Sequence, residues 1–232
     1  MPSSTPSSLP FGSEQYRQHF RDHLAGPIPG PIYALLVLCL LIAIIVGLAL
    51  SIPRYEPYFL VLLPAYFLFT NWLEYLLHRF PMHRKTPGME IVYEHVTIHH
   101  NFYANEHFYF EEPRDIYAAI LPWYIFIGLT LVIGAVSGLI YFFFGLSNGL
   151  FFALVAYSYY LLYEILHFSY HTPADGWVKQ LPFIGSLAQR HVVHHRTNAM
   201  AHYNFNITFP IFDRVYGTLD KEDVKLVPGK DR

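Results

Sequence analysis

Long apolar runs separated by short polar breaks dominate this chain. The first, IYALLVLCLLIAIIVGLALSI at 32 to 52, has no charged residue over 21 positions. At about 1.5 Å per residue, a helix of that length crosses a hydrocarbon core roughly 30 Å thick, so the run predicts a membrane span. Three more follow, at about 56–77, 119–144 and 148–170. The links at Pro53-Arg54 and at GLSNG, 145 to 149, are short and make each pair of helices antiparallel neighbours. Some thirty residues precede the first run, and no small-residue cleavage site ends it, so it reads as a retained span and not a signal peptide. Residues 1–30, opening with the Ser/Pro-rich MPSSTPSSLP, are expected to form a disordered cytosolic segment, and 31–232 a single membrane domain.

Composition supports this layout and removes several chemistries. A hydrophobic content of 53% and a mean hydropathy of +0.28 are too apolar for an ordinary soluble domain. The single cysteine, Cys39, lies inside the first span, which excludes an intrachain disulfide, a CxxC pair, a cysteine zinc site and an iron–sulfur cluster. A net charge of −2 offers no basic face to nucleic acid. Of the 15 Lys and Arg residues, Arg54 alone falls in the first link and none in 145 to 149. The rest lie in the amino-terminal tail, in 78–115 or after 170, and the positive-inside rule predicts that these regions and both termini are cytosolic. The membrane is then a bacterial inner membrane or the endoplasmic reticulum.

The histidines fall on that same side. They read His78-x4-His83 in HRFPMH, His95-x3-His99-His100 in HVTIHH, His167-x3-His171 in HFSYH, and His191-x2-His194-His195 in HVVHH. On an α-helix, positions three or four apart share a face, so His167/His171, His95/His99 and His191/His194/His195 can each point two rings at one centre. The adjacent third residue of a box is turned by about 100° and can serve a second centre. His78 and His83, five apart with Pro81 between, cannot share a face of a regular α-helix and suit a chain folding over a site. Ten imidazoles exceed the ligand number of one metal, so two metals are expected. The fold class is thus an all-α integral membrane protein of four transmembrane helices with a cytosolic histidine-rich helical cap. All-nitrogen sites beside a membrane suit O2 activation for lipid oxidation and favour iron, with zinc as a substitute in purified protein.

These four boxes, with FDRVYGT at 212 to 218, resemble the membrane fatty acid hydroxylase and sterol desaturase superfamily over about 74–218. Here the second box is HxxxHH where HxxHH is more usual, and Phe212 stands where the tail often has Trp. The resemblance implies a diiron centre held by His78, His83, His95, His99, His100, His167, His171, His191, His194 and His195, and the use of O2 and electrons to hydroxylate or desaturate a lipid. A fatty acyl group is the preferred substrate, with sterol and carotenoid oxidation as alternatives. No cofactor motif appears in the chain, so electrons are expected from a separate carrier such as cytochrome b5 or ferredoxin, with its reductase.

Other positions carry lesser expectations. Glu74 and Glu164 precede His78 and His167 by four and three residues and are candidates to orient them; Asp213 is a candidate acceptor for a ligand's second N–H, and His202 for an extra ligand or supporting donor. Gly134-x3-Gly138 suits close internal helix packing. Phe102, Tyr103, Phe108, Tyr109, Phe110 and Trp123 read as an interfacial belt. The sequon Asn206-Ile-Thr208 is cytosolic in this topology and so unmodified. The competing function is a non-catalytic metal transporter or sensor, whose site would lie nearer the midplane on broken helices. A zinc metallohydrolase would keep the coordination without the redox chemistry.

Overall fold

The computed structural model describes residues 9–104, 107–173 and 176–220. Its elements are α1 (Glu14–His23), α2 (Gly30–Ser51), α3 (Phe59–Leu77), a short α4 (Ile116–Ala119), α5 (Trp123–Phe144), α6 (Leu146–His171), α7 (Pro182–His194) and α8 (Ile211–Val215). No strand occurs among the described residues. Four of the helical stretches are long and apolar enough to cross a membrane, and they coincide with the four runs expected from the sequence.

α6 is the axis of the bundle. Its residues from Phe151 to His171 are mostly buried, and α2, α3 and α5 pack along it. The link into α6 is tighter than the GLSNG stretch suggested. Gly145 alone makes the turn, at φ 87°, a left-handed backbone that glycine adopts without penalty, and α6 begins at the next residue. Close approach of α5 and α6 comes at Gly149, where a Cβ would stand 2.7 Å from the Ser137 carbonyl oxygen and 2.9 Å from Tyr141 Cβ. The expected close-packing pair, Gly134 and Gly138, is not used: a Cβ at either meets nothing within 4 Å. They face outward from the bundle.

The amino-terminal segment also departs from expectation. Residues 1–8 lie outside the described residues, but Glu14–His23 is a capped helix and not an unordered lead-in. Ser13 caps it by accepting from the Tyr16 amide at 3.2 Å, and Glu14 and Arg21 sit at the ends that suit their charges. What orders it is tertiary. Arg17 and Arg21 are buried against Asp115, at 3.2 and 2.7 Å, and the Tyr16 hydroxyl donates to the Thr97 carbonyl at 2.8 Å. α1 therefore straps down the segment that carries His95, His99 and His100.

Candidate metal centre

The ten box histidines converge at one end of the bundle and divide into two groups of five. His78, His83, His95, His100 and His194 form one; His99, His167, His171, His191 and His195 form the other. Within each group the available ring nitrogens lie within 4.8 Å of one another, and all ten residues are buried. The groups abut: His100 stacks on His195 with centroids 4.2 Å apart, and His95 on His99 at 4.8 Å.

Local winding decides the division, and it corrects the α-helical expectation in two places. His78–Met82 and His95–His100 are both wound as π-helix. The wider turn of i→i+5 bonding brings residues five apart much nearer to one face than an α-helix does. His78 and His83 therefore reach the same group, which a regular α-helix would forbid, and His95 pairs with His100 while His99 turns to the other group. The extra residue in HVTIHH is thus taken up by winding. On α6 and at the end of α7 the ordinary i,i+4 rule holds, bringing His167 with His171 and His191 with His195. His194 faces the first group.

The donor chemistry fits a cation in each group. His78 donates its Nδ1–H to the Phe205 carbonyl at 2.6 Å, His99 to Ala118 at 2.6 Å, His171 to Phe108 at 2.8 Å and His194 to Tyr203 at 2.8 Å. A neutral imidazole so engaged has a bare lone pair on Nε2. Yet Nε2 atoms stand 3.1 Å apart in His78–His95, His78–His83, His83–His194, His99–His167, His99–His195, His171–His191 and His191–His195. Lone pairs at that separation repel unless a cation lies among them. Ring nitrogens this close together are spaced as the ligands of one shared cation would be. Both ring nitrogens of buried His100 also have no hydrogen-bond partner. Burial holds the His99 pKa down to about 3, and burial followed by neighbouring imidazoles keeps His83, His95, His100, His191 and His195 well below the ordinary value. The rings are neutral at physiological pH, as metal ligands must be.

The supporting candidates play other parts than expected. Asp213 accepts no imidazole N–H; its oxygens take the amides of Phe205 and Asn206 at 2.9 and 2.7 Å, and so fix the peptide whose carbonyl holds His78. Glu74 likewise orients backbone and not a ring, accepting from the Ile207 and Thr208 amides at 2.6 and 3.0 Å and from the hydroxyls of Thr208 and Tyr159. Glu164 is buried near Tyr160 and the Leu121 backbone, with no hydrogen bond to a histidine. His202 is exposed and belongs to neither group.

Asn71, which no motif singles out, and Asn206, read from the sequence only as a sequon, stitch α3 to the tail: Asn206 Nδ2 donates to the Asn71 carbonyl at 2.9 Å. That engagement also buries the sequon residue. Nor do the aromatics form a belt. Phe102, Tyr103 and Phe108 are buried, with Tyr103 stacked on His171 at 4.0 Å, whereas Trp123 is exposed.

Two cavities reach this centre. α3 and α5 each pack on α6 but hardly touch each other, which leaves a cleft of about 80 Å³ between them, backed by Ala156, Tyr160 and Tyr163 and walled by Leu73, Leu77 and Ile133. Its inner end is His78 and its far end Phe152. The second cavity, about 30 Å³, lies against His95, His99 and His167, with Glu94 on its rim.

The fold and site define an all-helical protein with four helices long and apolar enough to cross a membrane, and two adjoining all-histidine groups, each able to hold a metal ion, that open onto an apolar cleft. Residues 63–218, well over half the chain and spanning every box, match the fatty acid hydroxylase family. The chain belongs to that family. No curated protein and no solved structure matches it.

Proposed function

We propose that the protein is a membrane-bound diiron oxidoreductase that hydroxylates or desaturates a lipid alkyl chain, a fatty acyl group in the first instance. The observation that carries this is the placing of two five-histidine groups side by side at the inner end of an apolar cleft. Iron in both groups would supply O2 activation. In hydroxylation, O2, two electrons and two protons convert a C–H bond to C–OH and release one water; in desaturation the same inputs remove two hydrogens and release two waters.

The chain's own residues bind and orient. The cleft between α3 and α5 admits an alkyl chain sideways from the bilayer, with Leu73, Leu77, Ile133 and Phe152 excluding water along it. The carbonyls of Ala118, Phe108, Tyr203 and Phe205 hold four ligand rings with Nε2 inward. Electrons come from a separate carrier such as cytochrome b5 or ferredoxin, and the centre faces the cytosol, a sidedness supported by the distribution of Lys and Arg.

The test is metal stoichiometry in detergent-purified protein expressed with iron, for wild type, His167→Ala and His194→Ala, followed by ¹⁸O2 labelling of the host's fatty acids. Two metals per chain, one lost in each variant, with either ¹⁸O entering an acyl product as a hydroxyl or a new carbon–carbon double bond whose formation requires O2, is the expected result. One metal or none, indifferent to both changes, would sink the proposal.

A further inference from the structure

The two cavities lie on either side of Leu121, the one residue among those described that lines both. The cleft touches only His78 of the ten ligand candidates, at the edge of the first group. The small cavity touches His95 of the first group and His99 and His167 of the second, so it lies where the two groups meet. At about 30 Å³ it has room for about two waters, or a molecule the size of O2, and not for a run of methylenes. The alkyl chain and the small reactant are thus given different rooms with Leu121 as the wall.

That wall is rigid for reasons in the backbone. α4 ends at Ala119, Ile120 is extended (φ −96°, ψ 139°), and Pro122, which follows Leu121, is the extended residue just before α5. A residue before proline is held out of the helical region, so Leu121 cannot join either helix. The segment is also tied to the centre itself, since the Ala118 carbonyl receives the His99 Nδ1–H at 2.6 Å. Leu121 is 6% exposed and packs into the main core with Ile125, Tyr160 and Tyr163. Its position relative to the histidines is therefore set by the same contacts that orient a ligand.

We propose that Leu121 is a specificity-determining residue: it stops the alkyl chain at the edge of the first histidine group, keeps it out of the cavity between the groups, and so sets which carbon faces the centre. This rests on the lipid-oxidation proposal above. The side chain does not touch reacting atoms as an acid, base or ligand. It acts as a stop.

The experiment is photolabelling of the metal-loaded, detergent-purified protein with two palmitate analogues, one with a diazirine near the carboxylate and one with it near the chain end. Labelled residues are mapped by peptide mass spectrometry in wild type, Leu121→Ala and Leu121→Val. Wild type should label cleft residues such as Ile133 and Phe152 and leave Ile98 and Tyr117, which line the small cavity, at background. In Leu121→Ala, labelling of Ile98 and Tyr117 should rise to the level of Ile133, with Leu121→Val between. The valine variant loses one methylene and carries the test if the alanine variant does not fold. Wild-type labelling of Ile98 or Tyr117, or an unchanged pattern in a folded, metal-loaded variant, would overturn the role of Leu121 alone. Absence of cleft labelling by either probe would instead overturn the alkyl-chain reading of the cleft, and the inference with it.

Discussion

His78 and Phe205, 127 residues apart in the chain, are joined by a 2.6 Å hydrogen bond from imidazole Nδ1–H to backbone carbonyl. The Phe205 amide is in turn held by Asp213, so one carboxylate in the tail fixes a ring at the end of α3. Asn204, just before, takes the left-handed conformation at φ 57° and accepts the Asp220 amide at 3.0 Å. This small polar residue tolerates a backbone that lets the tail return to the histidines.

Asp213→Asn should weaken the first group selectively. Asparagine keeps one acceptor oxygen but turns an NH2 toward an amide that donates, so the Phe205 peptide loses its fixed position. Loss of such outer support lowers metal affinity by about 10–100-fold. Chelator competition should strip one of two metals early while the second keeps its wild-type affinity. Simultaneous, unshifted release of both would contradict the assignment.

Asp115→Ala should be among the most damaging changes outside the histidines. It takes from Arg17 and Arg21 their one buried carboxylate and leaves them only the exposed carboxylates of Glu14, Glu111 and Glu112; removal of one partner from a buried ion pair costs about 3–5 kcal/mol, and the remaining pairs put this loss toward the lower end. Denaturant unfolding in detergent micelles measures the loss. Limited proteolysis should then cut first within α1, and resistance of that helix would show that other contacts hold it.

Gly149→Ala and Gly134→Ala form a matched pair. The first places a methyl against the Ser137 carbonyl and Tyr141, an overpacking expected to cost about 1–3 kcal/mol. The second points into open space and, by removing a glycine from the helix interior, should leave stability unchanged or raise it by up to about 1 kcal/mol. Equal effects in thermal unfolding would refute the α5–α6 contact as described.

Acid should empty and loosen the site. Burial holds these histidines below the unfolded pKa of about 6.5, so as pH falls the unfolded chain binds protons first. The stability tied to neutral rings is complete above about pH 6.5 and is lost as pH falls toward the folded value, about 3 for His99. Protons compete with metal in the same direction. Metal retention and unfolding midpoints followed from about pH 8 to about pH 4 should both decline on the acid side, and a flat profile would count against neutral-ligand binding.

Several features were legible in the chain because they depend on local composition alone. An uncharged run such as 32–52 has few fates other than a membrane helix, and ten histidines in boxes after two such runs must gather at one end of the bundle. What tertiary structure decided was the division of those histidines and the parts of the residues around them. Spacing predicts shared faces only for an assumed winding, and the π-helical turns at His78–Met82 and His95–His100 reassign His83, His99 and His100. Glu74 and Asp213 stand near ligands in sequence or space, yet both bond to the returning tail, because its buried amides need acceptors: those of Ile207 and Thr208 find Glu74, more than 130 residues away, and those of Phe205 and Asn206 find Asp213, seven or eight residues on. Leu121 reads in sequence as one more apolar residue before a proline. Its place between two cavities follows from helices that meet only when the whole bundle packs.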